Sequence, residues 1–506
     1  MPPPTEVANT NGNGILVHGP RRQLEQRHVQ MIAVAGTIGT ALFLGSGQAI
    51  SGGGPVGALL AYAFVGSVAY ARNDVVGPRR RFLRSLWQVC FLLNSILKIL
   101  MVYTLAHRWV DEATGFAVGW IYFFTNAVTI PAEIAGAQLL LSQWTENTKP
   151  YIVLILGVTC LVNIFGVRYF GEVEFWFSIA KLTLIAILIL ISIVIDLGGA
   201  PEHRRLGFQY WKDPGPFTAN VLPGYKFLGI ISAVIQAAAA FQGIEISAIS
   251  GEHHPVKQHS TGTQSTRLRS SSECGMQGFK RSVISVVNAG VLSSAVSAGN
   301  SFMFSASRIL YGLALRGQAP ACLAKLNTHT GTSIPAVLFT AAFGLLAFMD
   351  FKNETFHRAA DHMECDKLHI SSLLLVSFPA VLDLLIHFAK DRGMAVQKFP
   401  REHLEYWNRF QPWLAMWGLF WCIVFLLLSG YPVFLHFYQA DQPFITSYLI
   451  PPIFLLGLIG WRHLYQTQMI SAAEMDFVNN IPSKDETEVP EEVPSGFWAR
   501  LAYRLV

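Results

Sequence analysis

Three ionisable side chains lie inside long apolar stretches of this sequence, where each could carry a proton or a fixed charge. Glu133 lies in NAVTIPAEIAGAQ, Lys181 in EFWFSIAKLTLIAI and Glu245 in AAAAFQGIEISAIS. An ionisable residue at the centre of a membrane costs at least about 2.5–3.5 kcal/mol on insertion scales, so such residues commonly mark functional sites. Burial favours the neutral form of a carboxyl group, and this property suits a proton carrier.

Each of the three also has a purely structural explanation. Pro131 frees a backbone carbonyl close to Glu133, and the carboxyl group could simply bind exposed backbone there. Lys181 could extend to the membrane interface, since Arg168 is only a few helical turns away, or it could supply a cation inside the membrane. Glu245 could lie near the cytoplasmic end of a helix.

Two apolar stretches contain small residues near their centres, and this pattern indicates helices that are interrupted inside a membrane. The first stretch, residues 29–50, contains Gly36, Thr37, Gly39 and Thr40. The second, residues 226–250, has four alanines followed by Gly243. Small residues also allow two helices to pack closely, which is the alternative. A pair of interrupted helices in two halves of a chain predicts the substrate site of an inverted-repeat transporter, where free N–H groups face an anion such as a carboxylate.

The composition predicts an all-α polytopic membrane protein. Of 506 residues, 52% are hydrophobic and only 14% are charged, with a mean hydropathy of +0.39. Soluble proteins carry about a quarter charged residues. No basic patch with interleaved aromatic residues suggests nucleic acid as a partner, and the six cysteines show no paired spacing that predicts a metal site.

Apolar spans recur along the chain and define its predicted organisation: 29–50, 54–71, 82–106, 115–142, 151–167, 173–196, 226–250, 282–306, 334–350, 368–389, 413–437 and 443–461. Because Lys and Arg collect in cytoplasmic loops, the basic loops place both termini in the cytoplasm. We therefore predict a cytoplasmic tail at residues 1–28, a transmembrane domain at 29–465 and a second cytoplasmic tail at 466–506.

Several long motifs occur in order along the chain: RHVQMIAVAGTIGTALFLGSG with GGGPVGALLAYAFVG, RWVDEATGFAVGWIYFFTNAVTIPAEIAGA, GVRYFGEVEFWFSIAKLTLI, FQGIEISAISGE and SAGNSFMFSASRILYGLALRGQAP. They resemble the first, second, third, fifth, sixth and eighth helices of fungal amino-acid permeases of the amino acid–polyamine–organocation superfamily. The resemblance implies a leucine-transporter-like fold, with two inverted five-helix repeats followed by two C-terminal helices. It also implies proton-coupled uptake of amino acids across the plasma membrane by alternating access, without a cofactor or metal.

The same resemblance implies roles for particular residues. The substrate carboxylate would meet the unwound backbone at Gly36, Thr37, Ile38, Gly39, Thr40 and Ala41. The substrate amine would meet carbonyl groups at Phe241, Gln242 and Gly243. Lys181 stands where related transporters place a lysine in lieu of a sodium ion, and Glu133 and Glu245 are the further candidates for coupling. Ala41 replaces a glycine of the family, so its methyl group would hinder close approach of the substrate.

Three segments depart from the family pattern, namely residues 72–104, 253–279 and 353–388. The second stands where a seventh helix is expected, but its charges and its many polar residues make insertion into lipid unfavourable. Basic residues flank the next apolar span, 282–306, on both sides, and a single crossing cannot place both flanks in the cytoplasm. The sequence therefore predicts a missing seventh helix and poor transport by the chain as written.

Two alternatives to a transporter stay open at this stage. One is an amino-acid sensor that binds the same substrates with little flux, and the other is an inactive product of a damaged or mis-predicted gene. An enzyme is not expected, because the sequence contains no nucleophile–base or metal-ligand set. The expected partners are amino acids, protons and the lipid bilayer. The loop at 351–367, which contains the sequon Asn353-Glu354-Thr355, is predicted to be extracellular.

Overall fold

Helices form almost all of the described structure, as expected for apolar segments that must satisfy their backbone hydrogen bonds internally. A computed structural model of the chain describes residues 9–10, 16–17, 38–74, 106–107, 109–199, 207, 209–212, 215–217, 226–241, 276–327, 330–352, 364–398, 413–428 and 450–475. The predicted span 82–106 and the departing segment 253–279, apart from their last residues, lie outside these ranges. So do Gly36, Thr37, Gln242, Gly243, Glu245 and the sequon.

Eleven α-helices occur in the described residues. They are α1 (Thr40–Asp74), α2 (Glu112–Leu141), α3 (Lys149–Phe165), α4 (Val167–Val194), α5 (Gln209–Lys212), α6 (Lys226–Ala240), α7 (Met276–Leu315), α8 (Ile334–Gly344), α9 (Glu364–Val396), α10 (Trp413–Leu428) and α11 (Ile450–Tyr465). A π-helix, Ile195–Gly199, continues α4, and 3-10 helices form at Ala321–Ala324 and Leu345–Lys352. The one sheet in this part of the chain is a two-residue antiparallel pair, β1 (Asn9–Thr10) with β2 (Leu16–Val17).

These bounds confirm several predicted spans as helices. The span 115–142 corresponds to α2 and the span 151–167 to α3. The span 368–389, in a segment that departs from the family pattern, lies within α9. Three helical segments in the described residues are long and apolar enough to cross a membrane: Gly45–Ala69, Glu112–Leu141 and Val167–Gly198. Four shorter apolar helices accompany them.

Helix α1 joins two predicted spans, and its single interruption lies at the first residue of the second span. Gly54 has φ 77° and ψ 172°, a conformation that favours glycine, and Pro55 follows it. The half of α1 before Gly54 packs closely on α6. A Cβ atom on Gly53 would lie only 2.8 Å from the Cβ of Ala233, so glycine is required for this approach.

Helices α2 and α7 lie at the centre of the rest of the bundle. Helix α7 packs extensively on α2 and also contacts α3, α4 and α8. A core of buried apolar residues lies between α2 and α7, and it includes Tyr122, Phe123, Ile309 and Leu310. A second core joins α1, α6, α9 and α10. The polar side chains described below lie where α2, α3 and α4 meet α7.

The described start of the predicted C-terminal tail contacts the helical domain at several residues. The Ile470 N–H donates a hydrogen bond to the Val110 carbonyl at 2.8 Å, just before α2 begins. The Gln397 side chain, beyond the end of α9, donates to the Met475 carbonyl at 2.8 Å. Arg462 of α11 forms an ion pair with Asp111, which also caps the N-terminus of α2 through the Thr114 N–H.

Candidate functional site

The first candidate stretch lies where α1 begins. Ile38 and Gly39 are non-helical, and regular helix starts at Thr40. Ser294 of α7 donates a hydrogen bond from Oγ to the Ile38 carbonyl at 2.8 Å. Thr40 and Ala41 are helical in their backbone, so within the described part of this stretch, residues 38–41, the non-helical residues are Ile38 and Gly39. The sequence-based expectation of an unwound segment here stays a prediction for Gly36 and Thr37.

Glu133 of α2 contacts this stretch directly. Its side chain is buried, with 7% exposure. A Cβ atom on Gly39 would lie 2.7 Å from Glu133 Oε1 and 3.3 Å from the Ala298 Cβ. Helix α2 runs through Pro131 without ending, and it places the carboxylate against the start of α1. Two residues that the sequence nominated separately, Gly39 and Glu133, are therefore neighbours.

The second candidate stretch lies at the same end of the α1–α6 pair. Gly45 lies opposite Gln236, and Gly53 lies opposite Ala233, so this half of α1 runs antiparallel to α6. The start of α1 and the end of α6 consequently lie side by side, at the same end of this antiparallel pair. Helix α6 ends at Ala240 and the chain turns at Phe241. The interruption expected near Gly243 lies outside the described residues and stays a prediction.

Phe241 contacts the second half of α1. Its ring centroid lies 6.4 Å from that of Tyr62, at an interplanar angle of 46°. A Cβ atom on Gly66 would lie 3.7 Å from Phe241 Cζ. The aromatic ring therefore packs between α6 and α1, and it covers the end of α6 on this side.

Lys181 of α4 is fully buried, with 0% exposure. The alternative in which this side chain extends to the membrane interface is therefore wrong. Its ammonium group interacts electrostatically with the carboxylates of Glu174 and Glu133. A buried cation needs such anions, because desolvation of an uncompensated charge is very costly. Glu133 thus links the start of α1 to the buried lysine.

Glu174 is the functional candidate that the sequence analysis did not single out. It lies on α4 and is 0% exposed. Ser297 Oγ donates to Glu174 Oε2 at 2.6 Å, and Asn300 Nδ2 donates to Glu174 Oε1 at 2.6 Å. Both donors belong to α7. A signal was present in the sequence, because Glu174, Ser178 and Lys181 have a spacing that places them on one face of a helix, and all three are fully buried.

The donors on α7 belong to a polar stripe that is buried within the bundle. Four serines at helical spacing are fully buried, and Asn300 lies among them: Ser294, Ser297, Ser301 and Ser305. Within this stripe Ser294 holds the start of α1, and Ser297, one turn further, holds Glu174. The motif SAGNSFMFSAS carries this pattern from Ser297 onward, but small residues at this spacing equally predict close helix packing.

Comparison with known proteins gives a consistent family. The family model described as "Amino acid permease" matches residues 28–258 and 279–469. The unmatched residues between these ranges fall within the second departing segment, whereas the match includes the other two.

Individual relatives align over most of this chain. A dicarboxylic amino acid permease of Saccharomyces cerevisiae is 30% identical, over 90% of this chain and 79% of its own length. An amino-acid permease of Schizosaccharomyces pombe is 29% identical, over 90% of this chain and 92% of its own length. The lysine-specific permease of Escherichia coli is 29% identical, over 91% of this chain and 97% of its own length.

Proposed function

Because this chain belongs to the amino acid permease family and is a transporter of amino acids, we propose that it takes up amino acids together with protons, and that Glu133 and Lys181 couple the two movements. One observation carries the proposal. The Glu133 carboxylate touches the start of α1 and also interacts with a fully buried lysine. A proton that binds to Glu133 changes the charge beside both groups, and it thereby couples protonation to the position of α1.

The substrate site of this proposal is the region between the start of α1 and the end of α6. The substrate carboxylate binds at residues 36–41, where the first N–H groups of α1 lack partners within the helix. The substrate amine binds carbonyl groups at residues 241–243. Support comes from the antiparallel packing of α1 on α6, since it brings the two stretches to one level.

We assign amino acids as the class of substrate and do not assign one particular amino acid. The relatives are described as permeases for dicarboxylic amino acids, for lysine and for proline, at closely similar identities to this chain. We propose a location in the plasma membrane, on membership of the permease family, with both termini in the cytoplasm, on the distribution of Lys and Arg in the loops. Glu245 is a third coupling candidate, on the sequence pattern alone.

Uptake of radiolabelled amino acids tests the proposal in cells that lack their own permeases. Wild-type uptake should rise at acidic external pH and should collapse when a protonophore is added. Glu133→Gln keeps the shape of the side chain but cannot exchange a proton, so accumulation should be lost while protein level at the cell surface is retained. If Glu133→Gln accumulates substrate with the wild-type dependence on pH, Glu133 is not the coupling residue.

A further inference from the structure

We propose that Glu174 is a fixed counter-anion that positions Lys181, and that Glu133 is the carboxylate that exchanges the proton. This inference rests on the proposed function, because it assigns different roles in proton coupling to Glu133 and Glu174, the two carboxylates that interact with Lys181. It assigns Glu174 the role of a positioning residue.

The hydrogen bonds of Glu174 hold its carboxylate in place. Each oxygen accepts a bond of 2.6 Å, one from Ser297 and one from Asn300. Donors to both oxygens favour the ionised form, and bonds this short are typical of charged acceptors. The two donors lie three residues apart on α7, so one turn of a neighbouring helix holds the whole carboxylate.

The orientation of Asn300 follows from a second amide. Asn163 Nδ2 donates to the Thr159 carbonyl at 2.8 Å, and that carbonyl can only accept. The same Nδ2 donates to Asn300 Oδ1 at 2.8 Å, so Asn300 presents its own Nδ2 to Glu174. Glu174 Oε1 therefore faces a donor and has no acceptor there for a proton of its own. Helices α3, α4 and α7 together fix the orientation of this carboxylate.

Apolar contacts close the α4–α7 interface on both sides of this network. One turn from Glu174 and Asn300, the rings of Phe170 and Phe304 stack with centroids 3.9 Å apart. On the other side, a Cβ atom on Gly290 would lie 2.8 Å from Leu184 Cδ2. Glu174 therefore lies in a sealed segment, whereas Glu133 lies at the start of α1, beside the proposed substrate site.

The position of Lys181 favours an interaction with Glu174 that does not depend on substrate. Lys181 lies two turns after Glu174 on α4, and side chains of a helix tilt toward its N-terminus. The long lysine side chain therefore reaches back toward Glu174. With the charge of Glu174 fixed, the three groups carry one net negative charge when Glu133 is ionised and none when it is protonated.

Removal of the Glu174 charge should make protonation of Glu133 more difficult, because the protonated state would then leave Lys181 uncompensated. In Glu174→Gln, the amide can still accept from Asn300 and donate to Ser297, so the substitution changes charge more than shape. The pH of half-maximal uptake should then fall by about one pH unit. Glu172→Gln is the matched control, since it makes the same change on the same helix outside the network.

The experiment measures uptake of a radiolabelled amino-acid mixture against external pH, and melting temperature against pH for purified protein in nanodiscs. The account predicts an acid shift of both profiles for Glu174→Gln, none for Glu172→Gln, and a wild-type uptake profile with a lower melting temperature for Glu174→Asp. A uniform drop in melting temperature with unchanged pH profiles would assign Glu174 a structural role only and would overturn the inference.

A second variant keeps the test decisive if Glu174→Gln does not fold. The double substitution Glu174→Gln with Lys181→Met removes both charges of this pair, and Glu133 can then be buried in its neutral, protonated form, so folding should be restored. Failure of the double variant to fold would contradict the pairing. The proposed function fails separately, if wild-type uptake is independent of pH or if Glu133→Gln behaves as wild type.

Discussion

The Glu133 carboxylate lies so close to Gly39 that a methyl group at residue 39 would come within 2.7 Å of Oε1. Glycine at this position therefore allows α2 to present a carboxylate to the start of α1. The Ser294–Ile38 hydrogen bond fixes the same point from α7. The two contacts make the start of α1 a junction between the proposed coupling residues and the proposed substrate site.

Gly39→Ala should reduce uptake strongly. Overpacking at a tight contact costs about 1–3 kcal/mol, and a cost of this size corresponds to roughly a 5- to 150-fold loss of affinity. Gly47→Ala is the matched control on the same helix, because a Cβ atom there meets nothing within 4 Å. Concentration-dependent uptake, corrected for protein at the cell surface, measures the effect. Normal uptake by Gly39→Ala would show that transport does not depend on the close contact between Glu133 and residue 39.

Lys181→Ala should lower both transport and stability. The substitution leaves Glu174 and Glu133 buried without their shared cation, and breaking a buried ion pair costs roughly 3–5 kcal/mol. Thermal melting of purified protein measures this loss. Because α4 contains no second lysine, Lys149→Ala at the start of α3 serves as the comparison and should melt within a few degrees of wild type. A melting temperature of Lys181→Ala equal to that of Lys149→Ala would contradict the buried network.

Asp111→Ala should destabilise the helical domain without altering the substrate site. The Asp111 side chain is fully buried, caps α2 and pairs with Arg462, whose side chain is 40% exposed. Loss of the cap alone costs about 1–2 kcal/mol. Asp111→Asn keeps an acceptor for the Thr114 N–H and should lose less. Equal melting temperatures for the two variants would show that the cap contributes nothing and that only the charge matters.

The chain as written should transport less than a version with about 20–25 apolar residues in place of residues 253–279, the length of one membrane crossing. The family match is interrupted at residues 259–278, within this segment. Parallel uptake assays on the two chains measure the difference. Equal uptake would contradict the prediction that a seventh helix is missing.

The sequence predicted the helices well because membrane spans are long and apolar. The span 115–142 differs from α2 by only a few residues at its start, and Glu133 and Lys181 were identifiable as ionisable residues among apolar ones. The sequence of one helix does not show which side chains of another helix will pack against it. For this reason Glu174, Ser297 and Asn300 were not recognised as one network, although each lay within a quoted motif.

The pairing of Gly39 with Glu133 also depended on the fold. These residues are 94 positions apart, and α7 packs against both: Ser294 and Ala298 contact the start of α1, and Gly299 lies beside Glu133. The position of Lys181 also could not be decided from the sequence. Its sequence allowed either a position at the membrane interface or full burial, and only the packing of α4 on α7 decides between them.

Reconstitution into liposomes tests the central claim most directly. Purified protein is placed in vesicles with an imposed pH gradient, acidic outside, and a radiolabelled amino-acid mixture is added while a dye reports the internal pH. The account predicts that substrate accumulates inside, that the interior acidifies with it, and that Glu133→Gln abolishes both signals. Accumulation of substrate by the wild type without any entry of protons would contradict proton coupling.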